Sequence, residues 1–105
     1  MELKIAWTQF AENQLQDIFG YYNEKANKKV SNKLVVSILD RTIDLIKNPY
    51  LSQEEELLKH RPEGFRYLLE KNYKIIYWID KNNSVINIAN VFNCRQDELK
   101  ILRTK

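Results

Sequence analysis

The second half of this 105-residue chain carries three strand-like runs in close succession. They are Phe65-Arg66-Tyr67-Leu68-Leu69, Tyr73-Lys74-Ile75-Ile76-Tyr77, and the apolar stretch 85–92, which leads into Cys94-Arg95-Gln96. Lys71-Asn72 is a tight hairpin-turn signal and residues 80–84 form a longer one, so the runs read as a β-meander. Residues 73–79 are apolar on both faces, with Tyr73, Ile75, Tyr77 and Ile79 set against Ile76 and Trp78. A strand of that kind is central and is covered on at least one side by helices.

The first half supplies those helices. Leu3, Ile5 and Trp7 alternate with Glu2, Lys4 and Ala6, the period of a short strand. Thr8 then stands as an N-cap, and the apolar spacing changes to three and four through Phe10, Ala11, Leu15, Ile18, Phe19 and Tyr22. Asn27, Lys28 and Lys29 mark a break, with the lysines suited to a helix C-terminus. A second helix spans about 30–47, its stripe formed by Val30, Leu34, Ile38, Leu45 and Ile46, with Val35, Leu39 and Thr42 beside it. Asn48-Pro49 stops it, because proline cannot continue the ladder and disfavours the helical conformation in the residue before it. Segment 50–64, with Glu54-Glu55-Glu56 and Lys59-His60-Arg61-Pro62, reads as a solvated loop.

The expected order is therefore β-α-α-β-β-β. This is an α+β fold, an antiparallel sheet with a helical hairpin packed on one face and the first strand added at an edge. The length suits one domain, 1–105, with a modest core.

Composition narrows the chemistry. A single histidine, His60, and a single cysteine, Cys94, cannot assemble a usual zinc site, and two glycines cannot form a phosphate-cradling loop. No cofactor or metal is expected. One cysteine precludes an internal disulfide and fits a reducing cytoplasm. No stretch approaches the ~18 apolar residues of a membrane span, and the alternating N-terminus argues against a signal peptide. Seventeen basic against fourteen acidic side chains leave a net charge of +3, compatible with nucleic acid or with an acidic protein partner.

What remains is a set of cations on the sheet: Arg66 at the start of one strand, Lys74 at the start of the next, and Arg95 just past the end of the last. Guanidinium and ammonium groups there can orient phosphates or stabilise a pentavalent transition state. Alternatively they face solvent or pair with Glu70, Asp97 or Glu98. A meander makes Lys74 and Arg95 neighbours and leaves Arg66 at the far end, so topology alone gives no three-residue cluster. Lys59, Arg61, Lys100 and Arg103 are candidates to extend the positive surface. Tyr67, Tyr73 and Tyr77 can stack on bases, but at period two they read first as core.

The chain resembles the RelE/ParE superfamily, the toxins of bacterial type II toxin–antitoxin pairs. Ile5-Ala6-Trp7-Thr8 with Ala11 and Leu15 resembles the family's first strand and helix start. Ile43, Leu45, Ile46 and Asn48-Pro49 resemble the end of its second helix. Arg66-Tyr67-Leu68 and Tyr73-Lys74-Ile75-Ile76-Tyr77 resemble its hairpin, and Val91-Phe92 with Arg95-Gln96 its final strand. In RelE-like members the resemblance implies a metal-independent, ribosome-dependent mRNA endoribonuclease, for which Arg66, Lys74 and Arg95 are the candidate catalytic residues. Such enzymes also use a tyrosine or histidine near the C-terminus, and residues 97–105 contain neither. Without that group the ~10²–10⁴-fold contribution of proton transfer is forgone unless Glu56 or His60 replaces it. The resemblance is therefore closer to the ParE-like branch. It implies a growth-inhibiting toxin directed at DNA gyrase and neutralised by a cognate antitoxin in a hetero-oligomer. A non-toxic antitoxin-binding module is the remaining reading.

Overall fold

A computed structural model of the chain describes residues 2–50 and 52–105. Strand β1 (Lys4–Trp7) leads into helices α1 (Gln9–Lys25) and α2 (Lys28–Lys47), followed by a short strand β2 (Gln53–Glu54) and a 3-10 turn (Glu56–Leu58). Strands β3 (Arg66–Glu70), β4 (Tyr73–Asp80) and β5 (Val85–Asn93) complete the sheet, and a second 3-10 segment (Glu98–Arg103) closes the chain. None of the helices is long and apolar enough to cross a membrane.

Local chemistry sets the helix ends. The Thr8 hydroxyl accepts from the Ala11 amide at 3.1 Å, a cap worth ~1 kcal/mol. The Asn27 side chain accepts from the Val30 amide at 2.9 Å and starts α2. Lys28 and Lys29 therefore open the second helix, where the sequence reading had them closing the first. Only Ala26 and Asn27 separate the two helices, and the gain from Asn27 as a cap outweighs the few tenths of a kcal/mol that lysines cost at a positive helix end.

The sheet order is β1-β5-β4-β3-β2. Strands β2 to β5 pair antiparallel as a meander, but β1 lies parallel to β5, with Ile5 opposite Ile86 and Trp7 opposite Ile88. The sheet is thus mixed, not wholly antiparallel. Parallel neighbours need a long crossover, and everything between β1 and β5 serves as one. The edge position of β1 and the hairpin on one face are as the residue pattern implies.

On the helix side, Ala11, Leu34, Ile38 and Leu45 pack against Leu68, Tyr73, Ile75, Tyr77, Ile86, Ile88 and Val91. Ile88 and Val91 both face the helices although three residues apart. A β-bulge allows this: Tyr77 pairs with Ile88 and Ile76 with Asn90, leaving Ala89 unpaired. The other face carries a second core of Leu58, Phe65, Ile76, Ala89, Phe92 and Ile101.

Two expectations fail here. Segment 50–64 is no solvated loop, for it adds β2 to the edge and inserts Leu58 and Glu55 beneath the surface. The α2 stripe is also rotated. Ser31 and Thr42 are buried, while Val30 and Ile46 are exposed along with Val36, Leu39 and Ile43. Ser31 faces α1 and donates to the carbonyl of Phe19, so a small polar residue sits where the two helices approach closely.

Candidate functional site

The three cations singled out by sequence occupy three different surroundings. Arg66 sits at the start of β3, opposite Tyr77 on β4. Its Nε donates to the Ser52 hydroxyl at 2.9 Å, and Nη2 donates to the carbonyls of Ser52 at 2.8 Å and Tyr50 at 3.3 Å. The guanidinium also lies 5.4 Å from the centre of the Tyr50 ring. The Tyr77 hydroxyl donates to the carbonyl of Pro49 at 2.7 Å and shares a short hydrogen bond with the Ser52 hydroxyl. Burial pushes the Tyr77 pKa up, partly offset by its hydrogen bonds to Ser52 and Arg66. Together these groups fasten the chain leaving α2 to the sheet, and they take up the Nε and Nη2 donors of Arg66.

Lys74 lies on the opposite face. Its neighbour Tyr73 packs among the helices, so the pleat turns Lys74 away from them. Lys74 Nζ is 3.2 and 3.4 Å from the two carboxylate oxygens of Glu55 and 4.3 Å from the centre of the Tyr67 ring. Glu55 is only 2% exposed. Lys74 is thus held by a buried carboxylate and an aromatic face at once. The shallow depression above it, about 430 Å³, is also lined by Glu54, Glu56 and Glu98. Four glutamates therefore surround one lysine.

Arg95 stands beyond β5, its amide donating to the Asn93 side chain at 2.9 Å. Among the described residues its guanidinium has no ion pair. It lines a groove of about 440 Å³ between α1 and the end of the sheet, with Tyr21, Tyr22, Tyr73 and Asp17 among the walls. Tyr73 is buried, and its hydroxyl donates weakly to that of Tyr22 at 3.4 Å. Its pKa is pushed well up, by burial first and by Tyr22 second, with Asn72 and Arg95 pulling the other way.

The meander does bring Lys74 beside the end of β5, opposite Phe92. The two cations nevertheless serve separate concavities, because Lys74 lines the acidic depression and Arg95 the groove against α1. The expectation that they are neighbours holds for the backbone and not for the surfaces they serve. Glu56 lies on the acidic rim and pairs with Lys59 at 4.0 Å, so it belongs to the surroundings of Lys74 and not of Arg95. His60 is exposed in segment 50–64. Among the described residues, no three His, Cys, Asp or Glu side chains gather as a metal site requires.

Sequence reasoning missed Glu55. It is one of three consecutive glutamates, and its partner lies 19 positions along the chain, so no local signal separates it from its solvated neighbours. Arg61, expected to extend the positive surface, instead holds the chain's own backbone. Arg61 donates to the carbonyls of Leu102, at 2.6 Å, and Thr104, fixing the C-terminal segment across the second core.

Residues 5–98 match the family model described as ParE toxin of type II toxin–antitoxin system, parDE. Among solved structures, the fold is similar to the chromosomal ParDE toxin–antitoxin system from P. aeruginosa, with a TM-score of 0.71 and 18% identity over 88% of this chain and 96% of that one. It is also similar to the toxin–antitoxin complex RelBE2 from Mycobacterium tuberculosis, with a TM-score of 0.65 and 14% identity over 89% of this chain and 99% of that one. The chain belongs to the ParE toxin family of type II toxin–antitoxin systems.

Proposed function

We propose that this ParE-family chain is a growth-inhibiting toxin that acts in the bacterial cytoplasm on a DNA-replication target such as gyrase, without cutting RNA, and that a cognate antitoxin keeps it silent. The observation that carries the choice of target is the fate of the three cations. An endoribonuclease needs them around one phosphate. Here Arg66 is committed to Ser52 and Tyr50, Lys74 is neutralised by Glu55 inside an acidic rim, and Arg95 serves another groove. Phosphate entering the Lys74 depression meets four carboxylates, a repulsive arrangement. The tail offers no tyrosine or histidine to move a proton.

An antitoxin partner fits a second observation. Val36, Leu39, Ile43 and Ile46 leave an apolar strip exposed along α2, with Tyr50 beyond its end. A contiguous strip of this kind marks a surface built to be covered. Two solved structures of similar fold are themselves toxin–antitoxin systems.

The test is induced expression without antitoxin, following DNA and protein synthesis in the same cells. Early loss of DNA synthesis with translation intact is the expected result. Prompt loss of translation with cleaved mRNA would establish the ribosome-dependent endoribonuclease instead. No growth defect would leave a non-toxic antitoxin-binding module.

A further inference from the structure

The sheet order leaves β1 and β2 without a neighbour on their outer sides, and the two open edges differ. The β2 edge is two residues long and adjoins the depression lined by Glu54, Glu55, Glu56 and Glu98, so pairing with a copy of itself would bring carboxylates together. At β1 the Lys4 and Thr8 amides donate inward to the carbonyls of Ser84 and Ile88, both at 3.0 Å. Residues of a parallel strand address its two sides alternately, so Ile5 and Trp7 turn their N–H and C=O groups outward. Neither a proline nor a bulge blunts this edge, and its one charged side chain is Lys4.

Apolar surface lies beside it. Trp7, Leu15 and Leu39 line a depression of about 280 Å³ next to β1. Leu39 carries that surface onto the α2 strip, where Val36, Leu39, Ile43 and Ile46 keep the spacing of a helix-packing seam and are 37–56% exposed.

We propose that in the antitoxin-free chain this face is covered by a second copy. The two β1 strands pair antiparallel across a two-fold axis and join two five-stranded sheets into one, while the two α2 strips meet beside the junction. A two-fold contact applies one patch to itself, and an antiparallel pair of identical strands has that symmetry by construction. With the axis at Ala6, Ile5 of each copy exchanges both backbone hydrogen bonds with Trp7 of the other. Lys4 then lies opposite Thr8 instead of its own equivalent, and the small, exposed Ala6 side chain sits at the axis. The strip is short, ~15 Å of helix, so the contact is of the small class and the dimer exchanges with monomer. The same strip is assigned above to an antitoxin. The two occupants exclude each other, and self-association itself depends on neither toxicity nor target.

Two measurements test this. Sedimentation velocity of the purified full chain, across a hundredfold range of concentration, is expected to show a reversible monomer–dimer equilibrium. Ile43→Glu should weaken it at least ~10-fold by setting two carboxylates in the junction. Ile43 is exposed, and circular dichroism checks that the variant is folded. In a Cys94→Ser background, Ala6→Cys places two thiols across the axis, where paired strands bring Cα atoms to ~4.5–5.5 Å, within reach of a disulfide. Oxidation should then give a covalent dimer, whereas Lys59→Cys, at an exposed position of segment 50–64, should not cross-link in that background. A chain that stays monomeric throughout would overturn the proposal. So would a dimer that Ile43→Glu leaves intact, an Ala6→Cys protein that does not cross-link, or a Lys59→Cys protein that cross-links as fast.

Discussion

The acidic depression around Lys74 and the groove around Arg95 lie at two concavities of one small sheet and use their cations in opposite ways. In the first, lysine is consumed by the fold: Glu55 is buried, Lys74 neutralises it, and Tyr67 backs the ammonium group. In the second, Arg95 stands without an ion pair among the described residues, a state that costs nothing in water and is useful when an anion arrives. A basic residue at a family position is therefore no guide to its task until its nearest carboxylate is known.

The sharpest way to break this contrast is Lys74→Met. It strands a buried carboxylate, and a loss of ~3–5 kcal/mol is expected in urea unfolding. The double variant Lys74→Met/Glu55→Leu should recover most of that loss, because it removes both charges. A Lys74→Met protein of full stability would mean that Glu55 is not held by Lys74. Arg61→Ala comes next. Losing its charged hydrogen bonds to the carbonyls of Leu102 and Thr104 should cost ~1.5–3 kcal/mol and release the C-terminal segment to fast amide exchange.

Alkaline pH probes the tyrosines that line the helix side. Tyr73 and Tyr77 both have raised pKa values, so the unfolded chain releases protons above pH ~10 that the folded chain retains. The contribution of these two tyrosines should be flat below that pH and lower stability above it by up to ~1.4 kcal/mol per pH unit for each. Tyr77→Phe should make the fall shallower, and an unchanged slope would exclude Tyr77 as a source. The smallest structural effect is expected for Arg95→Ala, below ~0.5 kcal/mol, since the side chain is exposed and unpaired. Growth inhibition should nonetheless weaken. Full toxicity from a stably folded Arg95→Ala protein would remove that residue from the functional surface.

Much of the frame was legible because it is written in short-range patterns. Alternation marked β1, Thr8 marked the start of α1, Asn48-Pro49 marked the end of α2, and the turn at Lys71-Asn72 fixed the hairpin. What was not legible depends on distant partners. Burial of Glu55 is decided by Lys74, and that of Ser31 by the approach of α1. Ile46 is exposed although it fits the helical period, because α2 turns Leu45 and Thr42 inward instead. The charge division was hidden for another reason: a sum of +3 does not record that glutamates gather at one concavity while Arg95 stands at the other.

The parallel pairing of β1 with β5 carries a consequence for synthesis. The Thr8 hydroxyl reaches the carbonyl of Ala89, 81 positions along the chain, and the Thr8 amide bonds to the carbonyl of Ile88. During synthesis β1 must therefore wait for β5 before its edge has a neighbour, and closing so long a loop is slow. During translation the helical hairpin exists without the sheet that orders it. Both concavities draw on residues that follow β5, Arg95 in one and Glu98 in the other, so neither is complete until the whole sheet can form.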